Sequence, residues 1–467
     1  MIPTDPVAWA VKAFHDGRNL DYALYQAYID GDHPTHFTSE RIRTVIGGIL
    51  DGLVYNRCHA VVDAHADRMQ INGFGADDES VSQRAEDLWN ANRMDLREGH
   101  IEVDALGLGD SYLIAEKHPR LNKVHLWVNA PQNVRVHYAE DVPDALDMAA
   151  KTWLNEDTYQ RLNLYFEDRI EKYISRQRAP SGMPNTSLAF EQYDRGDDAE
   201  PWTFALNVKG RVPVFPFANN GRTNAYGVSE LRPVLPLQSV LNHTLRNQNV
   251  AVEFGAFPQK AIIGVDAQSP DEQNELKRFA SGVSTILTLF GPDAKIDEFS
   301  AVNIAQYLAV AEFYDTAIAR VSKVPVHYLS MTGGIPSGRA LRIAEAPFTR
   351  KIEDRQKAFG ASFGDAMTYA LQLDGMTNVQ LGDLRINWVS AAPITEEDQL
   401  DNAILKQQIG YPFQTILREN GYEPDQIELI MQEKKAAVDE AMREFNRGPG
   451  AVPLVAGRIG DDEDEAA

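Results

Sequence analysis

The spacing of hydrophobic and polar residues predicts a mixed helix and strand region in residues 1–228. Helices are predicted at residues 22–29, 39–50, 55–69, 85–92 and 96–106. Strands are predicted at residues 70–74, 111–116, 124–128, 134–138 and 212–217, with a meander of short segments between 148 and 175. Residues 178–200 are polar and predict an exposed loop, and the prolines of segment 212–217 predict an edge strand.

A long helix is predicted from Ser229 to Phe254, with Ser229 as its N-cap and Glu230 against the helix dipole. One side of this helix is unusually polar. Its polar residues are Gln238, Asn242, Arg246 and Asn249. The other side has too little apolar surface for a buried core helix and too much for a helix that stands alone in water.

Beyond this helix the pattern changes several times. Strands are predicted at 260–265 and 283–290 with a helix between them, followed by a helix at 303–322 and an extended segment at 324–331. Ser337 is expected to cap a short helix at 337–346, and Pro347 separates it from a long helix at 349–373. A last strand is predicted at 386–389.

The C-terminal part predicts helices at 395–409, 412–420 and 425–446. Residues 447–467 contain Gly, Pro and a run of acidic residues, which is typical of a disordered acidic tail.

Composition narrows the possible functions of the chain. It has 467 residues, enough for two or three domains, with a formal net charge of −23. A protein that binds DNA phosphates over its whole surface would be basic, so any contact with nucleic acid must be local or weakly repulsive. Cys58 is the only cysteine, which excludes an intrachain disulfide and favours an intracellular protein. No apolar run predicts a membrane span, and the first residues lack the pattern of a signal peptide.

Candidate chemistry is sparse. The segment Gly333 to Gly338 has the glycine spacing of a phosphate-binding loop, but Arg339 and Ala340 replace the lysine and hydroxyl residues that such a loop needs. His59, Asp63 and Asp67 lie four residues apart on one helix face, where they form either a metal site or a solvated polar face. No catalytic constellation is present, and no cofactor is expected.

A local basic cluster stands out in this acidic chain. Its members are Arg339, Arg342, Arg350, Lys351 and Arg355. They either pair with neighbouring Glu345, Glu353 and Asp354 on helical surfaces or lie where DNA passes. The sequence leaves both interpretations open.

Several of these features together resemble the portal proteins of tailed bacteriophages of the siphovirus type. The resemblance covers residues 40–446. The matching segments are 56–63 (Asn-Arg-Cys-His-Ala-Val-Val-Asp), Gly73-Phe74, the strand 212–219, Gly227-Val-Ser-Glu-Leu231 and Pro336-Ser-Gly-Arg-Ala-Leu341.

The resemblance implies an α+β, mainly helical fold whose wing, stem, clip and crown form a ring with a central channel. The wing would comprise residues 1–228 and 349–394. The remaining parts would be stem helix 1 at 229–255, the clip at 256–335, stem helix 2 at 336–346, a tunnel loop at 344–349 and the crown at 395–446. An alternative places the second stem helix at 303–322.

The resemblance also implies which residues would face DNA and which partners would bind. The tunnel-loop candidates are Arg342, Glu345, Ala346, Pro347, Phe348, Thr349, Arg350 and Lys351. The implied partners are further copies of this chain in a dodecameric ring, double-stranded DNA, the terminase large subunit, the major capsid and scaffolding proteins, and a head-tail adaptor. Such a protein would not be an enzyme, would be assembled in the host cytoplasm and would reside at the portal vertex of the virion.

Two other functions fit parts of the sequence. The Gly333 to Gly338 spacing would suit an NTPase that resembles phosphate-loop enzymes. The acidic composition alone would suit a scaffold or adaptor protein without a channel.

Overall fold

The structure is a computed structural model that describes most of the chain. The described residues are 2–34, 54–117, 122–179, 189–193, 203–206, 208–256, 260–263, 286–289, 295–298, 304–329, 338–392, 396–419, 422 and 424–445. They combine helices and sheets in two compact units, Met1–Ala392 and Pro393–Ala467. None of the helices in these ranges is long and apolar enough to cross a membrane.

The first unit contains nine of the described helices. They are α1 (Pro6–Ala13), α2 (Arg18–Asp30), α3 (Arg57–Ala66), α4 (Glu79–Ala91), α5 (Met94–Leu108), α6 (Leu235–Ala256), α7 (Ile304–Ser322), α8 (Val326–Leu329) and α9 (Gly338–Asp374).

The strands described in this unit form four sheets. They are β1 (Ile71–Gly75), β2 (Asp110–Lys117), β3 (Val124–Asn129), β4 (Val134–Tyr138), β5 (Leu146–Leu154), β6 (Tyr159–Tyr165), β7 (Arg169–Arg178), β8 (Phe190–Gln192), β9 (Thr203–Ala205), β10 (Val214–Ala218), β11 (Lys260–Ile263), β12 (Ile286–Leu289), β13 (Lys295–Glu298) and β14 (Arg385–Trp388).

The largest sheet is an antiparallel meander in the order β4-β5-β6-β7-β8, with β9 also beside β7. A second sheet has the order β10-β2-β3, so β10 is an edge strand, as Pro213 and Pro216 predicted. The strand β14 returns to pair with β1, although more than three hundred residues separate them. The fourth sheet places β11 between a parallel β12 and an antiparallel β13.

The main core forms around the C-terminal half of α9. Phe359 and Phe363 are buried there and contact the ring of Phe217 on β10. Trp89 of α4 packs edge-on against Phe363. Aromatic residues on α9 therefore join α4 to the second sheet, and the helical spacing of Phe359 and Phe363 in the sequence predicts such a core face.

The second unit consists of α10 (Glu396–Gln408), α11 (Phe413–Glu419) and α12 (Pro424–Phe445). Ile416, Leu417 and Ile427 are buried within it. Many of its large apolar residues are exposed. They are Leu400, Ile404, Leu405, Ile409, Tyr411, Tyr422, Leu429, Val438 and Met442.

Most predicted elements are confirmed, and a few are wrong for local reasons. Residues 6–13 form a helix that the sequence pattern did not predict. Pro6 favours a β-turn in many sequences, but here it occupies the first position of the helix, where proline is tolerated. The helix predicted at 85–92 begins earlier, at Glu79, because the carboxylate of Asp78 caps it by accepting a hydrogen bond from the Ser80 backbone N–H. The segment predicted to be extended at 324–331 contains the short helix α8 at Val326–Leu329. The predicted helix 39–50 and the acidic tail 447–467 lie outside the described residues.

Two carboxyl groups are buried one turn apart on α5. Glu98 and Glu102 are 8% and 2% exposed, and each has an oxygen with no hydrogen-bond partner among the described atoms. Burial, and then repulsion from Glu98, raises the pKa of Glu102 to about 9. An unfolded glutamate titrates near ~4.3, so the unfolded chain loses this proton first and the free energy of unfolding falls as pH rises towards 9.

The substitution Glu102→Gln removes this penalty while it keeps the shape of the side chain. We expect it to raise the free energy of unfolding by roughly 1–3 kcal/mol at pH 8 and by much less at pH 5. Urea unfolding at both pH values measures the difference. The exposed Glu140→Gln serves as control. Equal changes in the free energy of unfolding for the two variants would show that Glu102 is not buried as a neutral acid.

Candidate functional site

The helices α6 and α7 pack along each other and flank the β11–β13 sheet in the chain. The helix that packs on α6 is therefore 304–322. Residues 338–346 instead form the first turns of α9, which continues without a break to Asp374.

The first half of the polar stripe on α6 is buried within the same chain. Gln238 is 0% exposed, and its side chain accepts a hydrogen bond from the Arg57 backbone N–H and donates one to the Tyr55 carbonyl. Asn242 accepts a hydrogen bond from the Tyr55 backbone N–H and contacts His33 Nδ1 at 2.7 Å. These two side chains thus fix the chain segment before α3.

The second half of the helix pair is more open. Arg246 and Asn249 are half-buried. Besides the charged Glu312 and Arg320 of α7, apolar residues are exposed along both helices. They are Val240 and Val252 on α6 and Leu308, Val310, Phe313 and Val321 on α7.

The turn before α6 explains the Gly227-Val-Ser-Glu-Leu231 motif. A Cβ atom on Gly227 would lie 1.9 Å from the Gly109 carbonyl oxygen, so only glycine fits. Ser229 Oγ donates to the Gly107 carbonyl at 2.5 Å, and the Glu230 backbone N–H donates to the Leu106 carbonyl. The motif thus joins the end of α5 to the start of α6.

Ser229 does not cap α6 directly, contrary to the prediction. Its Oγ accepts a hydrogen bond from the Leu231 backbone N–H, and residues 230–234 form a turn before the helix begins at Leu235. Pro233 and Pro236 lack the N–H groups that a helix interior requires, which places them at this entry.

Glu230 is the centre of a buried ion cluster. Its carboxylate accepts a 2.6 Å hydrogen bond from Lys351 Nζ and a 2.9 Å hydrogen bond from Arg355 Nη2. Asn219 and Asn220 also donate to it. Burial raises the pKa of Glu230, but Lys351 and the other partners outweigh this and lower it to about 2. Glu230 therefore carries its charge at neutral pH.

Lys351 connects three helices at this point. Besides Glu230 it donates a 2.8 Å hydrogen bond to the Ser322 carbonyl at the end of α7. One ammonium group on α9 thus contacts both the turn before α6 and the last residue of α7. Burial lowers the pKa of Lys351, and Glu230 opposes this shift.

The N-terminal part of α9 holds the remaining tunnel-loop candidates. Glu345 is buried and pairs with His327 at 3.1 Å and Arg68 at 3.4 Å. Phe348 is buried against His65 and Tyr328. Arg342, Ala346, Pro347 and Arg350 are exposed, and Thr349 is half-buried.

The predicted break at 344–349 is wrong, because Pro347 lies inside a helix. Its missing N–H deprives the Ile343 carbonyl of an intrahelical partner. Ile343 is 69% exposed and Pro347 is also exposed, so water can reach that carbonyl. The buried side chains of Glu345 and Phe348 hold the helix together on both sides of the proline.

The other candidate chemistry does not form a site. His59 contacts Asp63 at 3.3 Å, but the described residues contain no group of three or more side chains that could hold a metal ion. Residues 333–337 of the glycine segment lie outside the described residues.

Sequence reasoning located Glu230, Lys351 and Arg355 separately but did not bring them together. It assigned Glu230 to the helix dipole and left the basic cluster undecided. The four-residue spacing of Lys351 and Arg355 places both on one face of α9, and this was the available signal.

Comparison with known proteins gives consistent results. The family model described as Phage portal protein, SPP1 Gp6-like, matches residues 60–440. A portal protein of Mycobacterium phage L5 is 25% identical over 401 residues, covering 82% of this chain and 78% of that protein. A portal protein of Mycobacterium phage D29 is 25% identical over 404 residues with coverages of 82% and 78%. A solved structure, described as the virion of native gene transfer agent (GTA) particle, matches with 14% identity and a TM-score of 0.43, covering 84% of this chain and 94% of that one.

The ion cluster predicts that Glu230→Gln strongly lowers the free energy of unfolding. This substitution leaves Lys351 and Arg355 buried without a counter-charge, so we expect a loss of roughly 3–5 kcal/mol in the free energy of unfolding. Because the pKa of Glu230 is lowered, the difference from the wild-type protein should shrink as pH falls from about 4 towards 2.

Denaturant unfolding of both proteins at pH 7 and pH 3 tests this. The control is Asp77→Asn, which removes an exposed pair with Arg385 and should change little. Equal losses for the two substitutions would mean that the Glu230 cluster contributes no more than a surface ion pair.

Proposed function

Since the chain belongs to the family of SPP1 Gp6-like phage portal proteins, we propose that its copies form a ring through which double-stranded DNA enters and leaves the capsid. As a portal protein it is a component of the bacteriophage virion. The ring, its dodecameric size and its assembly in the host cytoplasm are parts of the proposal.

The observation that carries this proposal is the exposed apolar surface of α6 and α7. Leu308, Val310 and Phe313 are 51%, 43% and 63% exposed on α7, although a soluble helix normally turns such residues inward. A second copy of the chain would cover them. A contact between two different faces of identical copies continues from copy to copy and closes into a ring when the rotation fits.

The structure supports a revised assignment of the portal parts. In this proposal α6 and α7 are the two stem helices, and the β11–β13 sheet between them in the chain is the clip. The sheets β1–β10 and β14, with α1–α5 and most of α9, belong to the wing. The helices α10–α12 are the crown, and neighbouring copies would cover their exposed apolar residues.

DNA would pass through the ring with little adhesion. The net charge of −23 disfavours strong attachment of phosphates to the channel wall. Arg342 and Arg350 are exposed on the N-terminal part of α9, near the exposed Ala346 and Pro347. These side chains are proposed to contact DNA transiently, whereas Glu345, Phe348 and Lys351 anchor the helix in its own subunit.

The proposed partners follow from this arrangement. The terminase large subunit would dock on the clip and supply the ATP hydrolysis, so the portal itself would not be an enzyme. The major capsid and scaffolding proteins would contact the wing, and the head-tail adaptor would bind at the clip after packaging.

The ring depends on the apolar surface of α7, so Phe313→Glu should prevent assembly. Placing a carboxylate in a buried contact costs several kcal/mol, whereas the isolated chain keeps this side chain in water. Sedimentation velocity of the purified protein measures the assembly state, with circular dichroism as a check of folding. The control is Leu20→Glu on α2, where the side chain is 75% exposed.

A variant Phe313→Glu that assembles as well as the control would contradict the proposed contact. A wild-type chain that stays monomeric at micromolar concentration would contradict the ring itself.

The exposed arginines of α9 should affect DNA packaging but not ring assembly. We expect the double substitution Arg342→Gln and Arg350→Gln to leave the ring intact and to lower the length of DNA packaged per capsid. Gel analysis of DNA from purified particles measures this. Loss of assembly would instead show that these side chains lie between subunits. Normal packaging would show that they do not contact DNA in the channel.

A further inference from the structure

A groove of about 410 Å³ lies between α9 and β14. Small residues of α9, Gly360 and Ala361, form one wall, and Ile386 and Trp388 of β14 form the other. Gly360 approaches β14 so closely that a Cβ atom there would lie 3.1 Å from Trp388 Nε1. Gln356 of α9 also lines the groove and donates a hydrogen bond to the Val389 carbonyl, but beside Gly360 and Ala361 space remains for an apolar group.

The groove follows the edge of β14 that faces away from β1. β14 pairs with β1, where Trp388 lies opposite Ile71 and Ile386 opposite Phe74. No residue of β1 lines the groove, and in the described part of the chain no further strand joins this sheet. A two-stranded sheet is marginally stable, and its open edge offers N–H and C=O groups to another strand.

We infer that this groove binds an extended strand from the next copy in the ring, which adds a third strand to the β1–β14 sheet. This inference rests on the proposed ring. Main-chain hydrogen bonds to β14 would provide affinity, and an apolar side chain of the incoming strand would fill the space above Ala361.

The chemistry of the groove fits a polypeptide. A polypeptide main chain satisfies both the N–H and the C=O groups of a strand edge. The rim carries charges of both signs, from Glu353, Lys357 and Arg385, whereas a nucleic acid would require a basic rim.

The position of the groove on α9 favours a second copy as the source of the strand. Lys351 and Arg355 point to the turn before α6 and the end of α7. At about 100° per residue, Glu353 lies about 200° round the helix from Lys351, and Lys357 lies about 200° from Arg355. Both groove residues are therefore on the opposite side of α9. A ring contact between identical copies needs two different faces. The helix pair and the groove lie on opposite sides of α9, as such a contact requires.

Filling the groove tests the inference. The exposed Ala361→Trp should leave the melting temperature of the monomer unchanged and raise the concentration at the midpoint of ring assembly about tenfold or more, the effect of losing ~1.4 kcal/mol per contact. The matched control is Ala23→Trp at an exposed position of α2. Sedimentation velocity over a concentration series gives both midpoints.

A photo-crosslink identifies the occupant. Cys58 is fully buried, so Lys357→Cys provides the accessible thiol for a benzophenone maleimide in assembled rings. Irradiation should give covalent ladders of this chain, with the adduct on a peptide of a second copy. Rings that yield only intrachain adducts, or that assemble equally with Ala361→Trp, would overturn the inference and leave the ring standing. A failure of the wild-type chain to form rings would instead refute the proposed function.

Discussion

The buried carboxylate of Glu230 is the interaction on which the central part of this fold depends. It lies just before α6, and it is neutralised by Lys351 and Arg355 one helical turn apart on α9. A buried charge is tolerated only with close partners, so α9 must lie against the start of α6. Lys351 also holds the last carbonyl of α7, and the two helices of the pair are therefore fixed at one end by a single side chain.

The glycine contacts near this cluster have the same effect. Gly227 and Gly109 bring the turn before α6 into contact with the end of α5, and no side chain fits between them. Asn219 links the end of β10 to both the Val228 carbonyl and Glu230. Two of the segments that carried the resemblance to portal proteins, 212–219 and 227–231, thus join the sheet, α5, α6 and α9.

The helix pair has buried polar residues near the ion cluster and exposed apolar residues farther along. Near the ion cluster, Gln238 and Asn242 are buried and satisfied by the backbone of residues 55–57 and by His33. Farther along, apolar side chains such as Phe313 remain exposed. The anchored end gives the pair a fixed direction within its subunit, and the exposed end provides the surface from which the ring is proposed to form.

The sequence by itself determined most helices and strands, the edge position of β10 and the core face of α9, because these depend on local periodicity and on proline. It also determined the family, through motifs whose residues are close in the chain. Only the tertiary structure decided that Glu230 meets Lys351, that Gln238 is buried and that Pro347 lies within a helix. Each of these depends on contacts between residues far apart in the chain, which outweigh the local preferences of proline and of polar side chains.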